Sequence, residues 1–479
     1  MSAPEVVSVS RLTRVCATAA AALSVAAAGA CGHTPKPAPA PSSTAAAPPR
    51  VPVEIPPAPP EAVVPAGDFA PVVALVNADI AARRLPGAVI QVGHDEKIVF
   101  REAFGERRLP DEPGLDGMPA PAEPMTVDTV FDIASLSKVI VTTTAVLQLY
   151  EQGRVGLDEP VQTYLPEFNT GNDPRRAQVT LRMLLTHTSG IGGDLSRQGP
   201  WGLVTADRAD GIHRALTAPL EFAPGETFHY SDIGFIVLGT LVEQITGEPL
   251  DLYAHDNIFA PLGMADTFYL PSSKACGPYR ILGNAIAYDP GAAQRQPCPP
   301  DTWSTDVLAR VAPTARDEDT PGINPDIGRL LRGTVHDPTA RRMGGITGSA
   351  GVFSTVGDLG KYSQGLLDRL AGRPSTFPLK QSTLELMTTP QQPATVGQAL
   401  RGFGWDIDTY QSTPRGAIFP VGSFGHTGFT GVTMWIDPGS GTYVIVLANV
   451  IHQRGGPPVV TLSGDVATET ARALGLYGS

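Results

Sequence analysis

Three short stretches of this 479-residue chain hold residue types that can do nucleophilic chemistry. The first is "FDIASLSKVIVTTTAVL", with Ser135 and Lys138 at the head of an apolar run. A spacing of three puts both side chains on one face of a helix. A serine hydroxyl is a poor nucleophile until a neighbouring base takes its proton. A lysine can be that base if burial or another cation lowers its pKa. The helix start also favours negative charge building on an attacked carbonyl oxygen. Only six lysines occur in the chain, no other Ser-x-x-Lys exists, and Ile133, Leu136, Val139 and Ile140 flank Lys138. The plainer alternative is an amphipathic helix whose lysine points to solvent.

The second stretch is "FHYSDIGF", with Tyr230, Ser231 and Asp232. A tyrosine beside an ammonium has its phenolate favoured and can relay a proton to a leaving group. Taken alone, the stretch reads more simply with Tyr230 as a core residue and Asp232 as a helix N-cap. The third is "FGHTGFTG", with His426, Thr427 and Gly428. Glycine there lets a substrate lie against a strand edge, Thr427 can hydrogen-bond a carboxylate, and the Phe429 N–H can donate to an oxyanion. Its bland reading is a glycine-rich strand entry.

The elements that must position these residues can be read from periodicity. "FAPVVALVNADIAAR" has helical apolar spacing, and "GAVIQVGHDEKIVFREAFG" reads as two strands joined at His94–Glu96. Near the C-terminus, "GVTMWIDP", a "GSG" turn and "TYVIVLANV" form a second hairpin, followed by a helix in "GDVATETARALGL". The expected fold is therefore α/β, with a mainly antiparallel sheet built from both termini, flanking helices and an inserted helical lobe. In the middle, "SLSKVIVTTTAVLQLYEQG" is a helix capped by Gly153. "TLRMLLTHTSGI" is a short helix ending at Ser189–Gly190, and "SDIGFIVLGTLVEQITG" a helix opened by Ser231 or Asp232. "GITGSAGVFSTVGDLGKYSQGLL" is a glycine-rich loop running into a helix.

Taken together and in this order, the motifs resemble the serine β-lactamase and penicillin-binding family, nearest its branch of class C β-lactamases, D-alanyl-D-alanine carboxypeptidases and related esterases. The supporting stretches are "IASLSK", "LLTHTSGI", "FAPGETFHYSDIGFIVLGTLVE", "PLGMADTFY", "GSAGVFSTVGDLGKY" and "GHTGFTG". The resemblance implies that Ser135 forms an acyl-enzyme, with Lys138 and Tyr230 as base and proton relay. It further implies that His426, Thr427 and Gly428 form a substrate-lining strand and that the N–H groups of Ser135 and Phe429 form an oxyanion hole. His187 in "THTSG" would be structural, and no cofactor or metal is implied. Two departures stand out. Asp232 occupies the position of the usual asparagine, where a carboxylate only accepts unless protonated. It can pair with Lys138, keep it charged and shift the base role to Tyr230. His426 replaces the usual lysine and supplies less positive charge for a substrate carboxylate at neutral pH.

Composition sets the outer limits. A net charge of −12 with no basic run argues against a nucleic-acid partner, and 42% apolar with 17% charged residues fits a soluble globular body. The absence of CxxC and HExxH spacing argues against zinc, and the absence of G-x-S-x-G excludes an α/β-hydrolase elbow. Residues 1–31 read as an export signal: Arg11 and Arg14 precede "VCATAAAALSVAAAGAC". "AAGAC" resembles a lipobox with Ala28 in place of its leucine, which would make Cys31 a lipidated first residue; plain secretion is the alternative. Residues 32–67 form a Pro/Ala-rich spacer, and the catalytic domain spans 68–479. In an oxidising envelope compartment Cys276 and Cys298 can pair across a loop-like insertion. The expected partner is a small-molecule or peptide substrate, the protein a monomer, and any membrane contact would run through the lipid alone.

Overall fold

The computed structural model describes residues 61–282, 285–288, 299, 301–325, 327–397, 399–452 and 459–479. The expected export signal, most of the spacer, Cys31 and Cys298 lie outside the described residues. Cys276 is disulfide-bonded. Within the stretch read as spacer, Val64 N–H already donates to the Ile98 carbonyl at 2.8 Å.

An eight-stranded antiparallel sheet forms the centre. Strands β1 (Gly87–His94), β2 (Lys97–Arg108) and β3 (Glu123–Pro124) come from the N-terminal part. The C-terminal part supplies β4 (Leu400–Arg401), β5 (Asp406–Asp408), β6 (Phe424–Gly428), β7 (Val432–Asp437) and β8 (Thr442–Ala448). Their order across the sheet is β4-β5-β6-β7-β8-β1-β2-β3. The two termini meet where β1 pairs with β8, from Ala88 opposite Ala448 to His94 opposite Thr442. The β1–β2 connection is a two-residue turn with Asp95 at φ +48° and Glu96 at φ +64°, the geometry that matches strand twist.

β1 and β8 are apolar along nearly their whole length because both sheet faces are covered. On one face Ala88, Ile90, Trp435, Val444 and Val446 pack with helices α1 (Ala70–Ala81) and α5 (Val459–Ala473). On the other, Val89, Met434, Ile445 and Leu447 join a larger core. That core includes α2 (Thr144–Glu151), which continues a π-helical stretch Lys138–Thr143, together with α3 (Asp232–Thr246) and α4 (Val356–Leu370). Two local expectations need correcting. The helix in "TLRMLLTHTSGI" spans Leu181–Leu185 and stops before Thr186, because His187 adopts φ +57°. The insertion after Cys276 is not all loop: Tyr279–Leu282 pairs with Ala285–Tyr288 as a hairpin.

Candidate active site

The nucleophile candidate sits at a sharp strand-to-helix turn. Strand Phe131–Asp132 pairs with Val352–Ser354, and the chain then reverses through Ala134 at φ +44°. A residue with a β-carbon resists this region. Asp132 holds it there, its Oδ1 accepting the Ala134 N–H at 2.9 Å and its Oδ2 the His336 N–H at 2.7 Å. The N–H groups of Leu136, Ser137 and Lys138 each donate to the carbonyl three residues back, at 3.0 Å. Ser135 is thereby presented, partly exposed, at the head of the helix.

Lys138 is fully buried. Its Nζ lies 2.9 Å from Ser135 Oγ, 2.9 Å from the Ser349 carbonyl oxygen and 2.5 Å from Asp232 Oδ1. Burial pulls its pKa down, but the Asp232 carboxylate overrides burial and holds the ammonium above the ordinary lysine range. Of the two expectations, a lysine lowered by burial or one kept charged by Asp232, the geometry agrees with the second. Asp232 reaches this position because Ser231 caps α3, its Oγ accepting the Gly234 N–H at 3.1 Å and donating to the Gly192 carbonyl at 2.6 Å.

Tyr230 completes the group, placed where both Ser135 and Lys138 act on its phenol. The ammonium lies 5.1 Å from its ring centroid. Burial and the nearby Asp232 carboxylate push the phenol up, and Lys138 does not offset them. The phenolate favoured by sequence reasoning is thus replaced by a protonated tyrosine. Its ring stacks on His187, centroids 4.4 Å apart, and His187 Nδ1 accepts the Ser231 N–H at 3.0 Å. The "THTSG" turn is a brace for Tyr230.

The third stretch approaches the same turn along β6. A β-carbon on Gly428 would lie 2.7 Å from the Ile133 carbonyl oxygen and 3.3 Å from Ala134 Cβ. The Thr430 hydroxyl donates to the Asp132 carbonyl at 2.7 Å. Phe429 is therefore held between two residues that touch the segment leading into Ser135. Thr427 is partly exposed on the strand and Phe429 is 73% exposed. His426 is buried, and its Nδ1 lies 2.7 Å from the Thr427 carbonyl oxygen, which it serves as donor. Burial, then the Arg401 and Lys138 charges, hold His426 well below the ordinary histidine pKa, so it is neutral. Arg401 itself is fully buried, paired with Asp406 and 4.9 Å over the Phe228 ring.

Sequence reasoning missed several contributors. The Ser349 carbonyl that receives Lys138 was signalled only by the glycines of "GSAG"; Gly348 fits against α3 because a β-carbon there would meet the Phe235 carbonyl oxygen at 2.1 Å. Asp194 and Asp337 also gather beside Asp232. Burial and then Asp232 raise the Asp194 pKa. Burial, Asp194 and Asp232 push Asp337 up to about 7. No sequence pattern links these carboxyls. Among the described residues no cluster of His, Cys, Asp and Glu fits a metal ion, and no helix is long and apolar enough to cross a membrane.

The chain belongs to the beta-lactamase family, whose model matches residues 72–457. It is 28% identical over 382 residues to a protein of Escherichia coli (strain K12) named "Putative D-alanyl-D-alanine carboxypeptidase", covering 78% of this chain and 80% of that one. Its fold is similar to that of EstCE1, described as a hydrolase with promiscuous acyltransferase activity, with TM-score 0.57, 20% identity, and 83% and 97% of the two chains covered. A class C beta lactamase matches with TM-score 0.55 and 17% identity over 83% of this chain and 97% of its own. The mixed α/β fold with its antiparallel sheet is the one these neighbours share.

Proposed function

We propose that this protein is an exported serine hydrolase that works through an acyl-enzyme on Ser135. The observation that carries the reading is the contact of Ser135 Oγ with a buried Lys138 Nζ at 2.9 Å, inside a group that also holds Tyr230 and Asp232. Reaction runs through the minor tautomer of the Lys138–Asp232 pair in which the shared proton sits on Asp232, so that the Lys138 amine takes the Ser135 proton as Oγ attacks the substrate carbonyl carbon. The N–H groups of Ser135 and Phe429 stabilise the oxyanion. Tyr230 gives its phenolic proton to the leaving oxygen or nitrogen and regains one from Lys138. The Ser135 proton thus ends on the leaving group. Water then adds to the acyl ester, losing a proton to the same relay, and releases the acid and free Ser135. Thr427 and Gly428 line the substrate along β6.

The substrates are esters, amides or β-lactams of the shape of cell-wall peptides. The site favours the ester side of that range: His426 is neutral and bonded to its own strand, so it offers no charge to a C-terminal carboxylate. The carboxypeptidase name of the Escherichia coli relative supports the peptide reading. A catalytically idle binding protein fits less well with an intact Ser135–Lys138–Tyr230 arrangement. The leader at residues 1–31, with Cys31 as lipidation site, supports an envelope location for a monomeric enzyme, and a Cys276–Cys298 bridge belongs with it. The test is a panel of p-nitrophenyl esters, D-Ala-D-Ala peptides and nitrocefin. Ester turnover is expected, with its loss in Ser135→Ala while the fold persists. A Ser135→Ala protein that keeps most of its esterase activity would overturn the assignment.

A further inference from the structure

Lys138 Nζ has three acceptors around it, and only one of them stays chemically unchanged through the proposed reaction. Ser135 Oγ and Asp232 Oδ1 both exchange protons with it. The Ser349 carbonyl oxygen, 2.9 Å away, can only accept. When the shared proton sits on Asp232, the amine keeps two N–H groups and one lone pair. An N–H held on the Ser349 carbonyl turns that lone pair toward Ser135 Oγ. This carbonyl is the pivot of the base.

A bond one peptide earlier fixes the pivot. The Thr142 hydroxyl donates to the Gly348 carbonyl at 2.7 Å. Thr142 follows Lys138 by four positions within the π-helical stretch Lys138–Thr143, so both side chains leave the same side of the helix. Two successive carbonyls of the loop thus dock on two side chains of one helix. Short π-helical segments are frequent at functional sites.

The opposite side of the loop is closed by α3, the helix that carries Asp232. A β-carbon on Gly348 would lie 2.1 Å from the Phe235 carbonyl oxygen and 2.9 Å from Gly239 N, both on α3. Further along, the Val352 N–H donates to Ser137 Oγ at 3.2 Å, and within the loop Thr347 Oγ1 accepts the Ala350 N–H at 3.2 Å. Thr142, Gly348 and Ser349 are all buried, so water does not compete for the Gly348 carbonyl. The loop is wedged between the two helices whose side chains share the proton.

We infer that Thr142 is a positioning residue for the acylation: its hydroxyl fixes the Gly348 carbonyl, and the Ser349 carbonyl that follows orients Lys138 toward Ser135. This rests on the acyl-enzyme reading above.

The experiment measures kcat and KM for p-nitrophenyl acetate as a function of pH in wild type, Thr142→Val, Thr142→Ala, Thr142→Ser and Ser135→Ala, with folding followed by circular dichroism. Thr142→Val replaces the hydroxyl with a methyl group of similar size. Its kcat is expected to fall about tenfold with KM nearly unchanged, since a displacement of about 1 Å can cost about a hundredfold. Its acid limb of kcat/KM is expected to move to lower pH, because a carbonyl that accepts from the ammonium favours the charged form. Thr142→Ser keeps the hydroxyl and should restore both. An unmoved limb in a folded Thr142→Val, whatever its kcat, or equal losses in Thr142→Ser, overturns the role of Thr142 alone. Loss of the fold in both Thr142→Val and Thr142→Ala would make the bond a folding element only and overturn that role too. No ester turnover by the wild type, or turnover kept in Ser135→Ala, overturns the underlying reading and the role of Thr142 with it.

Discussion

Lys138 Nζ lies 2.5 Å from Asp232 Oδ1 while the same nitrogen touches Ser135 Oγ at 2.9 Å. One ammonium is thus shared between a hydroxyl to be activated and a carboxylate that keeps it protonated. Substituting Asp232→Asn removes the main group that opposes burial, which disfavours the charged amine, and leaves Tyr230 as the weaker opponent. A larger neutral fraction of Lys138 is then present at a given pH. The acid limb of the kcat/KM profile is expected to move to lower pH, and amide or β-lactam turnover at pH 7 to rise about tenfold, a fraction of the roughly 10²–10⁴ that a general base supplies in full. Nitrocefin kinetics across pH check this, and an unmoved limb with no gain would place Asp232 outside the reacting group.

The same pair makes a stability prediction. Lys138 is wholly buried, and the Asp232 side chain is 25% exposed. Deleting one member of a buried pair typically costs about 3–5 kcal/mol because the other charge loses its partner. Lys138→Met is expected near the lower end, since Asp232 reaches water. The double variant Lys138→Met/Asp232→Leu should recover most of the loss. Denaturant unfolding of the two single variants and the double variant gives the coupling; additive losses would mean the pair is not an energetic unit.

Much of this site was legible because its chemistry is local in sequence. Ser135 and Lys138 are one helical turn apart, Tyr230 and Asp232 flank one N-cap, and His426 to Gly428 share one strand. The two hairpins were equally readable, since β1, β2, β7 and β8 combine apolar runs with short turns. What stayed hidden depends on contacts between distant segments. The Ser349 carbonyl meets Lys138 across 211 positions, and the glycines around it mark a tight turn without saying which segment it faces. The positive φ of Ala134 falls on a residue that ordinarily avoids it, so no glycine announced the turn. The raised Tyr230 pKa follows from burial beside Asp232, which only the folded chain brings about. The hairpin after Cys276 was hidden by its surrounding prolines and glycines.

Gly428 sets how closely β6 approaches the nucleophile. A β-carbon there would lie 2.4 Å from Val432 Cγ2 and 2.7 Å from the Ile133 carbonyl oxygen, so the strand must shift away from the Ser135 turn. Gly428→Ala is expected to cost about 1–3 kcal/mol of stability, as overpacking does. It should lower kcat by about a hundredfold, as a displacement of about 1 Å can. Ester kinetics with circular dichroism of the variant check this; a folded variant with unchanged kcat would remove the Phe429 N–H from the proposed oxyanion hole.

Asp337 gives a pH dependence with a definite sign. Its Oδ1 accepts the Ala340 N–H at 2.6 Å as the N-cap of the Pro338–Arg342 helix. Burial, with Asp194 and Asp232 nearby, raises its pKa from 3.8 to about 7. A carboxyl whose pKa is raised by folding binds its proton more tightly in the native state. Its contribution is therefore fully present below about pH 4 and is lost as pH rises through about 7. Asp337→Asn keeps the cap acceptor and removes the ionisation. The variant is expected to match wild type near pH 4 and to be increasingly the more stable of the two up to pH 8. Thermal unfolding of both proteins at pH 4, 6 and 8 measures this difference. A gap that does not widen with pH would show that Asp337 ionises as an ordinary aspartate and that Asp194 and Asp232 do not act on it.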